Sequence, residues 1–298
     1  MAASPSDFAG RPVALVGAGA VGRVLALRMR QVGIEVAAVV SRSRSSAEAV
    51  AREAGAGAWS DQLADVPDAA RIVLLCTPDA AIPRVAAALA ALEQPWEGRA
   101  VGHTAGALSV APLAPLRAHG ATPFALHPLQ TVTRKSRPET LAGAYAGVED
   151  VEEGGVGWTL AAQLGMRPVA VGGADRTRYH LAATLASNGL VALMGAVADV
   201  LATFGIERDE AAALMGPLLE GTLGNLRAGT PESALTGPVA RGDAETVARH
   251  GAALTGELER VRPLYAALQR EALRVAQRAG KLDAEQVVAV HRALGEGA

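Results

Sequence analysis

Polar side chains recur at helical spacing in the otherwise apolar stretch of residues 176–193. His180, Thr184 and Asn188 stand at positions i, i+4 and i+8, and Ser187 stands at i+7. On a helix these positions share one face, and polar groups on an apolar helix cost stability unless they find partners. Such a row suits the reduction of a carbonyl or imine group, which requires a proton donor and hydrogen bonds that orient the substrate.

The residue types suggest how these roles are divided. Histidine titrates near neutrality, so we expect His180 to donate the proton. Ser187 and Asn188 would orient the carbonyl or carboxylate of the substrate, and Thr184 would contact it. The alternative is that these side chains only make hydrogen bonds between domains.

Two further segments concentrate polar groups in apolar surroundings. His127, in LHPLQT (126–131), directly follows a core strand and is a candidate catalytic residue. In ALTGPVARGD (234–243), Thr236 and Arg241 are candidates for substrate binding, and Arg241 could grip a carboxylate with two hydrogen bonds or simply brace the turn. The six histidines are scattered, with one cysteine and no H-x-x-x-H spacing, so no metal site is expected.

The elements that must position these residues alternate in type over the first half of the chain. Apolar runs without polar alternation are separated by helical patterns, which predicts a parallel sheet covered on both faces. The runs are PVALVG (12–17), EVAAVV (35–40), RIVLLC (71–76), AVGHT (100–104) and PFALHP (123–128), and runs at 143–148 and 167–171 extend the sheet.

Beyond residue 175 the pattern changes to alanine- and leucine-rich segments with a period near 3.6, and no strand is expected. The predicted fold class is therefore α/β, with a doubly wound parallel sheet of the Rossmann type followed by an all-α domain. We expect a loose leader over residues 1–10 that is not a signal peptide, a sheet domain over 11–173 and a helical domain over 174–298.

A glycine-rich turn follows the first strand and opens the first helix. GAGAVG places Gly17, Gly19 and Gly22 in G-x-G-x-x-G spacing. In this context the first glycine permits a tight turn, the second lets the backbone approach a pyrophosphate, and the third lets helix and strand pack closely. The spacing predicts dinucleotide binding by the backbone of the turn, including its intervening residues Ala18, Ala20 and Val21.

The end of the second strand indicates which dinucleotide is bound. An acidic residue there would accept hydrogen bonds from the ribose hydroxyls and repel a 2′-phosphate. This chain instead has Ser41, Arg42, Ser43 and Arg44, whose donors suit a phosphate. We therefore predict NADP(H), with the two arginines as clamps; the alternative is a solvated basic loop.

Two other strand ends should line the same cofactor. Thr77 and Pro78 follow the strand at 71–76, and His103 and Thr104 close the strand at 100–104. Ligands of open α/β sheets bind at the carboxyl ends of the strands, so all four are candidate cofactor contacts.

Composition restricts the class of protein further. The 298 residues are 50% hydrophobic and 19% charged, with a formal net charge of −2 at pH 7, so neither nucleic acid nor an anionic membrane is an expected partner. The apolar stretch 181–205 is long enough to span a membrane, but Asn188 and Asp199 interrupt it, and a helix buried between protein layers is the preferred interpretation. The single cysteine excludes an internal disulfide and favours a cytoplasmic location.

Several of these motifs together resemble the Rossmann-like/DUF2520 family, over about residues 11–290. They are VALVGAGAVG, LLCTPDAAI, HTAGALS, LHPLQTVT, YHLAATLASNGLVAL and LTGPVARGD. The resemblance implies relationship to pyrroline-5-carboxylate reductases, ketopantoate reductases and 6-phosphogluconate-dehydrogenase-like enzymes, with NADP(H) as cofactor and dimerisation through the helical domain. It also implies a place in pantothenate synthesis for some members.

One departure from those relatives concerns the proton donor. Ketopantoate reductases of the usual type carry Lys, Asn and Asn along the corresponding helix, whereas this chain has His180, Thr184 and Asn188. The sequence therefore predicts a homodimeric, NADPH-dependent reductase of a small 2-oxo acid, most simply ketopantoate. An imine reductase of the pyrroline-5-carboxylate type and an NADP(H)-sensing protein without turnover remain as alternatives.

Overall fold

The computed structural model describes residues 10–150 and 154–295, so the predicted leader lies outside the described residues except for Gly10. The described strands are β1 (Val13–Val16), β2 (Val36–Val40), β3 (Ala58–Ser60), β4 (Ile72–Leu75), β5 (Ala100–His103), β6 (Thr122–Leu129), β7 (Tyr145–Glu149) and β8 (Arg167–Ala170). They form one sheet in the order β3-β2-β1-β4-β5-β6-β7-β8. Every predicted strand is present, and β3 is an additional short strand that the apolar pattern did not indicate.

The sheet is parallel except at one pair. β6 and β7 run antiparallel, with His127 opposite Gly147, whereas the other paired strands run parallel. Parallel neighbours need a crossover, usually a helix, and the connection between β6 and β7 contains a 3-10 helix, Pro138–Leu141, in place of an α-helix. The predicted parallel sheet is therefore confirmed from β3 to β6, and its extension reverses direction once.

Helices cover both faces of the sheet and make up the rest of the chain. The α-helices are α1 (Ala20–Gln31), α2 (Arg44–Ala54), α3 (Ile82–Ala90), α4 (Ala114–Ala118), α5 (Val156–Gln163), α6 (Arg176–Ala186), α7 (Asn188–Ala202), α8 (Ala211–Ala228), α9 (Pro231–Ala234), α10 (Ala244–Ala253), α11 (Arg262–Arg278) and α12 (Ala284–Ala293). Further 3-10 helices span Leu63–Asp65, Asp79–Ala81, Ala111–Leu113, Val239–Arg241 and Gly256–Val261.

Alternation along β1 explains the two layers of core. Val13 and Leu15 pack with α1, α2 and α5 on one face, and Ala14 and Val16 pack with α3 and α4 on the other. Successive side chains of a strand point to opposite faces, so a strand with no polar alternation must be covered twice. The confirmed fold is a Rossmann-type α/β sheet followed by helices.

The strand ends relevant to function meet at one edge of the sheet. The amide of Gly17 donates to the carbonyl oxygen of Val40 at 2.7 Å, and that of Cys76 donates to Val16 at 2.7 Å. Thr104 donates to the carbonyl oxygen of Leu75 at 3.1 Å. These bonds align the carboxyl ends of β1, β2, β4 and β5, so the turns that follow them form a continuous rim.

The chain divides into two compact units, Met1–Ser187 and Asn188–Ala298. The helix α6, which the sequence analysis assigned to the helical domain, lies in the first unit with the sheet. The second unit contains helices and no strand within its described residues. Its buried core includes Val239, Val247, Leu273 and Val290.

One apolar segment meets the length and composition expected of a membrane span. It covers Arg176–Ala202, and 6% of its most apolar window is buried. The expected burial of the stretch at 181–205 between protein layers is not found within the described chain, where Leu185 and Val191 are exposed. The apolar composition of this segment requires a nonpolar neighbour. That neighbour can belong to the same chain or to another molecule.

Candidate active site

The glycine turn after β1 has the geometry that its spacing predicts. Gly17 has a φ of 119°, which favours glycine, and a Cβ there would lie within 3.0 Å of the backbone after β4. Gly22 is buried against the carbonyl oxygen of Gly17. At Gly19, by contrast, no described atom lies within 4 Å of a Cβ position, so the turn leaves open space at the N-terminus of α1.

A cavity of about 840 Å³ begins at this turn and extends along the carboxyl edge. Its walls include the turn residues Gly17, Ala18 and Gly19, and the end of β4 at Thr77 and Pro78. Three arginines and one acidic residue also line it, namely Arg42, Arg84, Arg134 and Asp61. The excess of guanidinium groups makes this cavity suited to an anionic ligand.

The end of β2 contributes three of its four predicted residues to this cavity. Ser41, Arg42 and Ser43 line it, whereas Arg44 begins α2 as an exposed residue outside the lining. The Ser43 hydroxyl accepts from the amide of Ser46 at 3.2 Å and so caps α2. Of the two predicted clamps, Arg42 lines the cavity and Arg44 does not.

Arg134 joins the same cavity from the connection between β6 and β7. The guanidinium Nη1 of Arg23 donates to the carbonyl oxygens of Arg134 and Ser136, at 3.2 and 3.1 Å, which fixes this connection against α1. Arg23 is held in turn by an ion pair with Glu53 at 2.6 Å. Sequence reasoning treated residues 131–140 as a polar break, although the basic cluster RKSR at 134–137 was a visible signal.

A second cavity, of about 460 Å³, adjoins the first and shares Gly19, Cys76, Thr77 and Pro78 with it. Its other lining residues come from α1, the strand ends and α6: Ala20, Val21, Asp79, Thr104, Gly106, His127, Pro128, Gln130, Val132 and His180. The structure therefore brings His127 and His180 together beside the predicted cofactor contacts. Gln130 and Val132 were not anticipated.

Thr77 and His103 show how the strand ends differ. The hydroxyl of Thr77 is buried and has no hydrogen-bond partner among the described residues. Thr77 lines both cavities. His103 is fully buried, and its Nε2 contacts the carbonyl oxygen of Ser109 at 2.9 Å. The His103 side chain is thus buried and His103 lines neither cavity, so its predicted cofactor contact stays a prediction.

The two cavity histidines form an aromatic cluster with Tyr179. His127 lies edge-on to both Tyr179 and His180, with ring centroids 5.6 Å apart in each pair. The Nδ1 atom of His127 is 3.1 Å from the Tyr179 hydroxyl. Burial, with the nearby positive charges of His180 and Arg176, lowers the pKa of His127 to about 4, so its ring is neutral at pH 7.

Arg176 lies buried behind this cluster. Its Nη2 donates to the carbonyl oxygen of Ala105 at 2.7 Å, and its Nε lies 4.0 Å from the Glu149 carboxylate. Its Nε and Nη1 make no hydrogen bond within the described part of the chain. Burial lowers the pKa of Arg176, and Glu149, Tyr179 and Asp79 oppose that shift. Sequence reasoning did not single out this residue.

The remaining predicted substrate contacts are placed differently. Thr184 is exposed and is not among the residues that line either cavity. The hydroxyl of Ser187, the residue between α6 and α7, lies 3.1 Å from the hydroxyl of Thr131. Asn188 begins the second unit, and Thr236 and Arg241 are exposed residues of that unit. Their contacts with substrate stay predictions.

The fold and site define a class of protein: a Rossmann-type sheet with a basic cavity and a histidine cluster at its carboxyl edge, followed by a helical unit. Residues 6–128 match the family model described as Rossmann-like domain. Residues 145–272 match the model described as Domain of unknown function (DUF2520). The chain thus combines a Rossmann-like domain with a DUF2520 domain, which confirms the resemblance inferred from its motifs.

Solved structures share this fold at low sequence identity. A Bacteroides fragilis protein provisionally named an NADP oxidoreductase aligns at 23% identity and a TM-score of 0.73, covering 89% of this chain and 98% of that one. A Thermotoga maritima protein aligns at 24% identity and a TM-score of 0.67 with the same coverage. An Aspergillus terreus imine reductase in complex with NADPH4 and a dibenzazepine aligns at 18% identity and a TM-score of 0.61, covering 93% and 98%. No curated protein matches the chain.

Proposed function

We propose that this protein is an oxidoreductase that uses NADPH to reduce a small carbonyl compound, with a 2-oxo acid such as ketopantoate as substrate. The observation that carries this proposal is the continuity of the two cavities along the carboxyl edge of the sheet. Both are lined by Gly19, Thr77 and Pro78, while Arg42 lines the larger cavity and the two histidines line the smaller one. A dinucleotide placed along this edge would bring its nicotinamide end to the histidines.

The residues of the larger cavity fit NADPH. Open space at Gly19 and the first amides of α1 suit the pyrophosphate. Arg42 and Ser43 at the end of β2 suit a 2′-phosphate, because guanidinium and hydroxyl groups donate to it. The acidic residue in the lining, Asp61, follows β3 and is therefore not at the strand end where an acid would accept from the ribose.

The residues of the smaller cavity fit the reaction itself. Bound NADPH would supply a hydride to the carbonyl carbon. The unpartnered hydroxyl of Thr77 can bond to a polar group of the ligand, and Ala20, Val21 and Thr104 shape the remaining wall. His127 and His180 would hold the proton that the developing oxyanion requires. The names of the structurally similar proteins, an NADP oxidoreductase and an imine reductase bound to NADPH4, support this chemistry.

Two alternatives follow from the same residues. An imine reductase of the pyrroline-5-carboxylate type would need the same cofactor and proton donor, and the fold of the Aspergillus terreus imine reductase supports it. A protein that senses NADP(H) without turnover would need the larger cavity alone. The 2-oxo acid is placed first because the motifs resemble those of ketopantoate reductase relatives. In this chain Asn188, Ser187 and Thr184 would orient the substrate, and Thr236 and Arg241 would bind its carboxylate.

Titration calorimetry with NADPH and NADH tests the cofactor. A charge-assisted hydrogen bond is worth about 1.5–3 kcal/mol, so NADPH is expected to bind roughly tenfold to a hundredfold more tightly than NADH. Arg42→Ala should abolish this preference, and Arg44→Ala, the matched control outside the cavity, should preserve it. Equal affinity for both nucleotides, or binding of neither, would overturn the proposal.

A substrate panel tests the reaction. The consumption of NADPH is followed with ketopantoate, other 2-oxo acids and cyclic imines, each with NADH in parallel. Turnover of a 2-oxo acid, lost in the double variant His127→Ala/His180→Ala while NADPH affinity is retained, supports the proposed function. Turnover of imines alone favours the first alternative, and tight NADPH binding without turnover of any panel member favours the sensor.

We also propose that two copies associate through the helical unit, in the cytoplasm. Val191 on α7 and Leu218 on α8 are 72% and 66% exposed, and large apolar side chains exposed in this way are typical of interaction sites. Sedimentation at micromolar concentration is expected to show a dimer. Leu218→Glu should shift it to a monomer, and a monomeric wild-type protein would count against association.

A further inference from the structure

Tyr179 contacts His127, one of the two histidines that line the smaller cavity. The Tyr179 hydroxyl is 3.1 Å from Nδ1 of His127, and the two rings meet edge-on at 90°. Gly106, which lines the cavity, has a Cβ position 3.0 Å from Nε2 of His127. One ring nitrogen therefore bonds to the tyrosine, and the other is directed towards the cavity wall at Gly106.

The surroundings of the hydroxyl favour Tyr179 as the donor in this bond. Nδ1 of His127 is the acceptor that the described residues place 3.1 Å from the phenolic oxygen of Tyr179. A Cβ at position 147 would lie 2.7 Å from that oxygen, so glycine is what permits the approach. Because a neutral histidine ring has one N–H and one acceptor nitrogen, the phenol of Tyr179 can donate its proton to Nδ1 of His127. A neutral His127 ring then carries its proton on Nε2.

Arg176 places a buried positive charge beside the same phenol. It is fully buried, and two of its guanidinium nitrogens lack a hydrogen-bond partner among the described residues. Burial raises the pKa of Tyr179, while the Gly147 amide and the Arg176 charge act to lower it. The Arg176 charge thus offsets part of the cost of a phenolate that forms transiently at Tyr179.

Four further ionisable groups act on this pair or on Arg176 and His103 beside it. His180 on α6 acts electrostatically on His127 and lowers the pKa of that ring. Glu149 on β7 and Asp79 after β4 act on Arg176, and Arg176 and Asp79 also act on His103 of β5. Arg176 is the charged group that acts directly on both Tyr179 and His127.

We propose that Tyr179 is the source of the proton in the reduction and that His127 relays it to the substrate. This inference rests on the proposed function, and it assigns to His127 the donor role that the sequence suggested for His180. His127 touches the reacting atoms, and Tyr179 acts through it. His180 then serves to shape the cavity and to disfavour a charged His127 ring.

The step balances in atoms and electrons. As the hydride from NADPH adds to the carbonyl carbon, the π pair of the C=O bond moves to oxygen and takes the proton from Nε2 of His127. Nδ1 of the same ring takes the phenolic proton of Tyr179. The products are an alcohol, NADP⁺ and a phenolate beside Gly147 and Arg176, which regains a proton from water after release. The transfer is favourable because an alkoxide is a stronger base than a phenolate.

Tyr179→Phe in the full-length protein is the central test, with Tyr145→Phe as the matched control at an exposed tyrosine of β7. In Tyr179→Phe we expect kcat to fall by about 10²-fold or more, with NADPH affinity and melting temperature near those of the wild type. The loss of wild-type activity at high pH, where Tyr179 loses its proton, should disappear in this variant. Tyr145→Phe should retain both kcat and the pH profile.

Two measurements on the wild-type protein test the proposed relay even if Tyr179→Phe folds poorly. A proton inventory in mixed H₂O and D₂O should be curved, since two protons move in one step, and a linear inventory overturns the relay. Nitrogen-15 spectra of the NADP⁺ complex should show His127 neutral with its proton on Nε2, and a proton on Nδ1 overturns it as well.

The outcomes separate this inference from the proposed function. Turnover of a 2-oxo acid with an unchanged kcat and pH profile in Tyr179→Phe overturns the relay alone and leaves the reductase standing. Absence of turnover across the substrate panel in the wild type overturns both.

Discussion

Gly22 packs so closely against the carbonyl oxygen of Gly17 that a Cβ at position 22 would overlap that atom. Gly19 lies between them in sequence, yet no described atom lies within 4 Å of its own Cβ position. The two glycines of one motif therefore have different roles. Gly22 joins α1 to the turn after β1, and Gly19 leaves the space that a ligand would fill.

Alanine substitutions should separate these roles. Gly22→Ala forces the helix away from the turn and is expected to lower the free energy of unfolding by about 1–3 kcal/mol. Gly19→Ala should leave the melting temperature close to that of the wild type but weaken NADPH binding, because its Cβ occupies the space for the pyrophosphate. Thermal unfolding and titration calorimetry measure the two effects. Wild-type NADPH affinity in Gly19→Ala would show that the phosphates bind elsewhere.

Arg134 is expected to contribute to cofactor affinity although it lies far in sequence from the glycine turn. It lines the larger cavity, so Arg134→Ala should weaken NADPH binding by about tenfold, the effect of one charge-assisted hydrogen bond. The loss should shrink as salt is raised, because the side chain is exposed. Arg137→Ala, in the same connection but outside the lining, is the control. Equal losses in both variants would indicate only general attraction by positive charge.

His127 should make the stability of the protein depend on pH on the acid side. Its pKa is about 4 in the folded protein and about 6.5 when unfolded. Between these values the unfolded chain binds a proton that the folded chain does not, so stability is full above pH 6.5 and falls as pH drops towards 4. Each pKa unit corresponds to roughly 1.4 kcal/mol.

Urea unfolding at a series of pH values measures this dependence. His127→Gln should flatten the fall in stability between about pH 6.5 and pH 4. His119→Gln alters an exposed histidine after α4 and should keep the wild-type slope. An identical slope in His127→Gln and the wild type would contradict the burial of a neutral ring at position 127.

Cys76 should be unreactive in the folded protein. Burial raises the pKa of its thiol to about 12, opposed by a hydrogen bond with Thr104. The thiolate is the reactive form, so an alkylating reagent at pH 8 should label Cys76 slowly in the native state and rapidly in urea. Fast labelling of the native protein, with unfolding excluded by circular dichroism, would show that the cavity edge opens at this residue.

Local pattern determined much of the framework. The roles of Gly17, Gly19 and Gly22 could be assigned from their spacing within six residues. A tight turn, the approach of a ligand and a close helix contact each require a residue without a side chain. The strand ends at Ser41 and Thr77 could be predicted to meet, because parallel strands bring their carboxyl ends to one edge. Neither inference needed a contact between distant segments.

The same reasoning was less successful for side-chain direction. Arg42 and Arg44 are equivalent in sequence, but the start of α2 directs only Arg42 to the cavity lining. His103 is the last residue of β5 and Thr104 follows it, yet the His103 ring is buried and bonds to Ser109 while Thr104 lines the smaller cavity. Which way a side chain points depends on the dihedral angles at the strand end, which residue type does not determine.

By itself the sequence determined the sheet, the glycine turn and the polar residues available for chemistry, because these depend on periodicity and on neighbours within a few positions. Only the tertiary structure decided that Tyr179 bonds to His127, 52 positions earlier, and that Arg176 lies buried on Ala105, 71 positions earlier. Such pairs arise where α6 packs against the strand ends. Their partners are chosen by the register of that packing, and no short-range pattern records it.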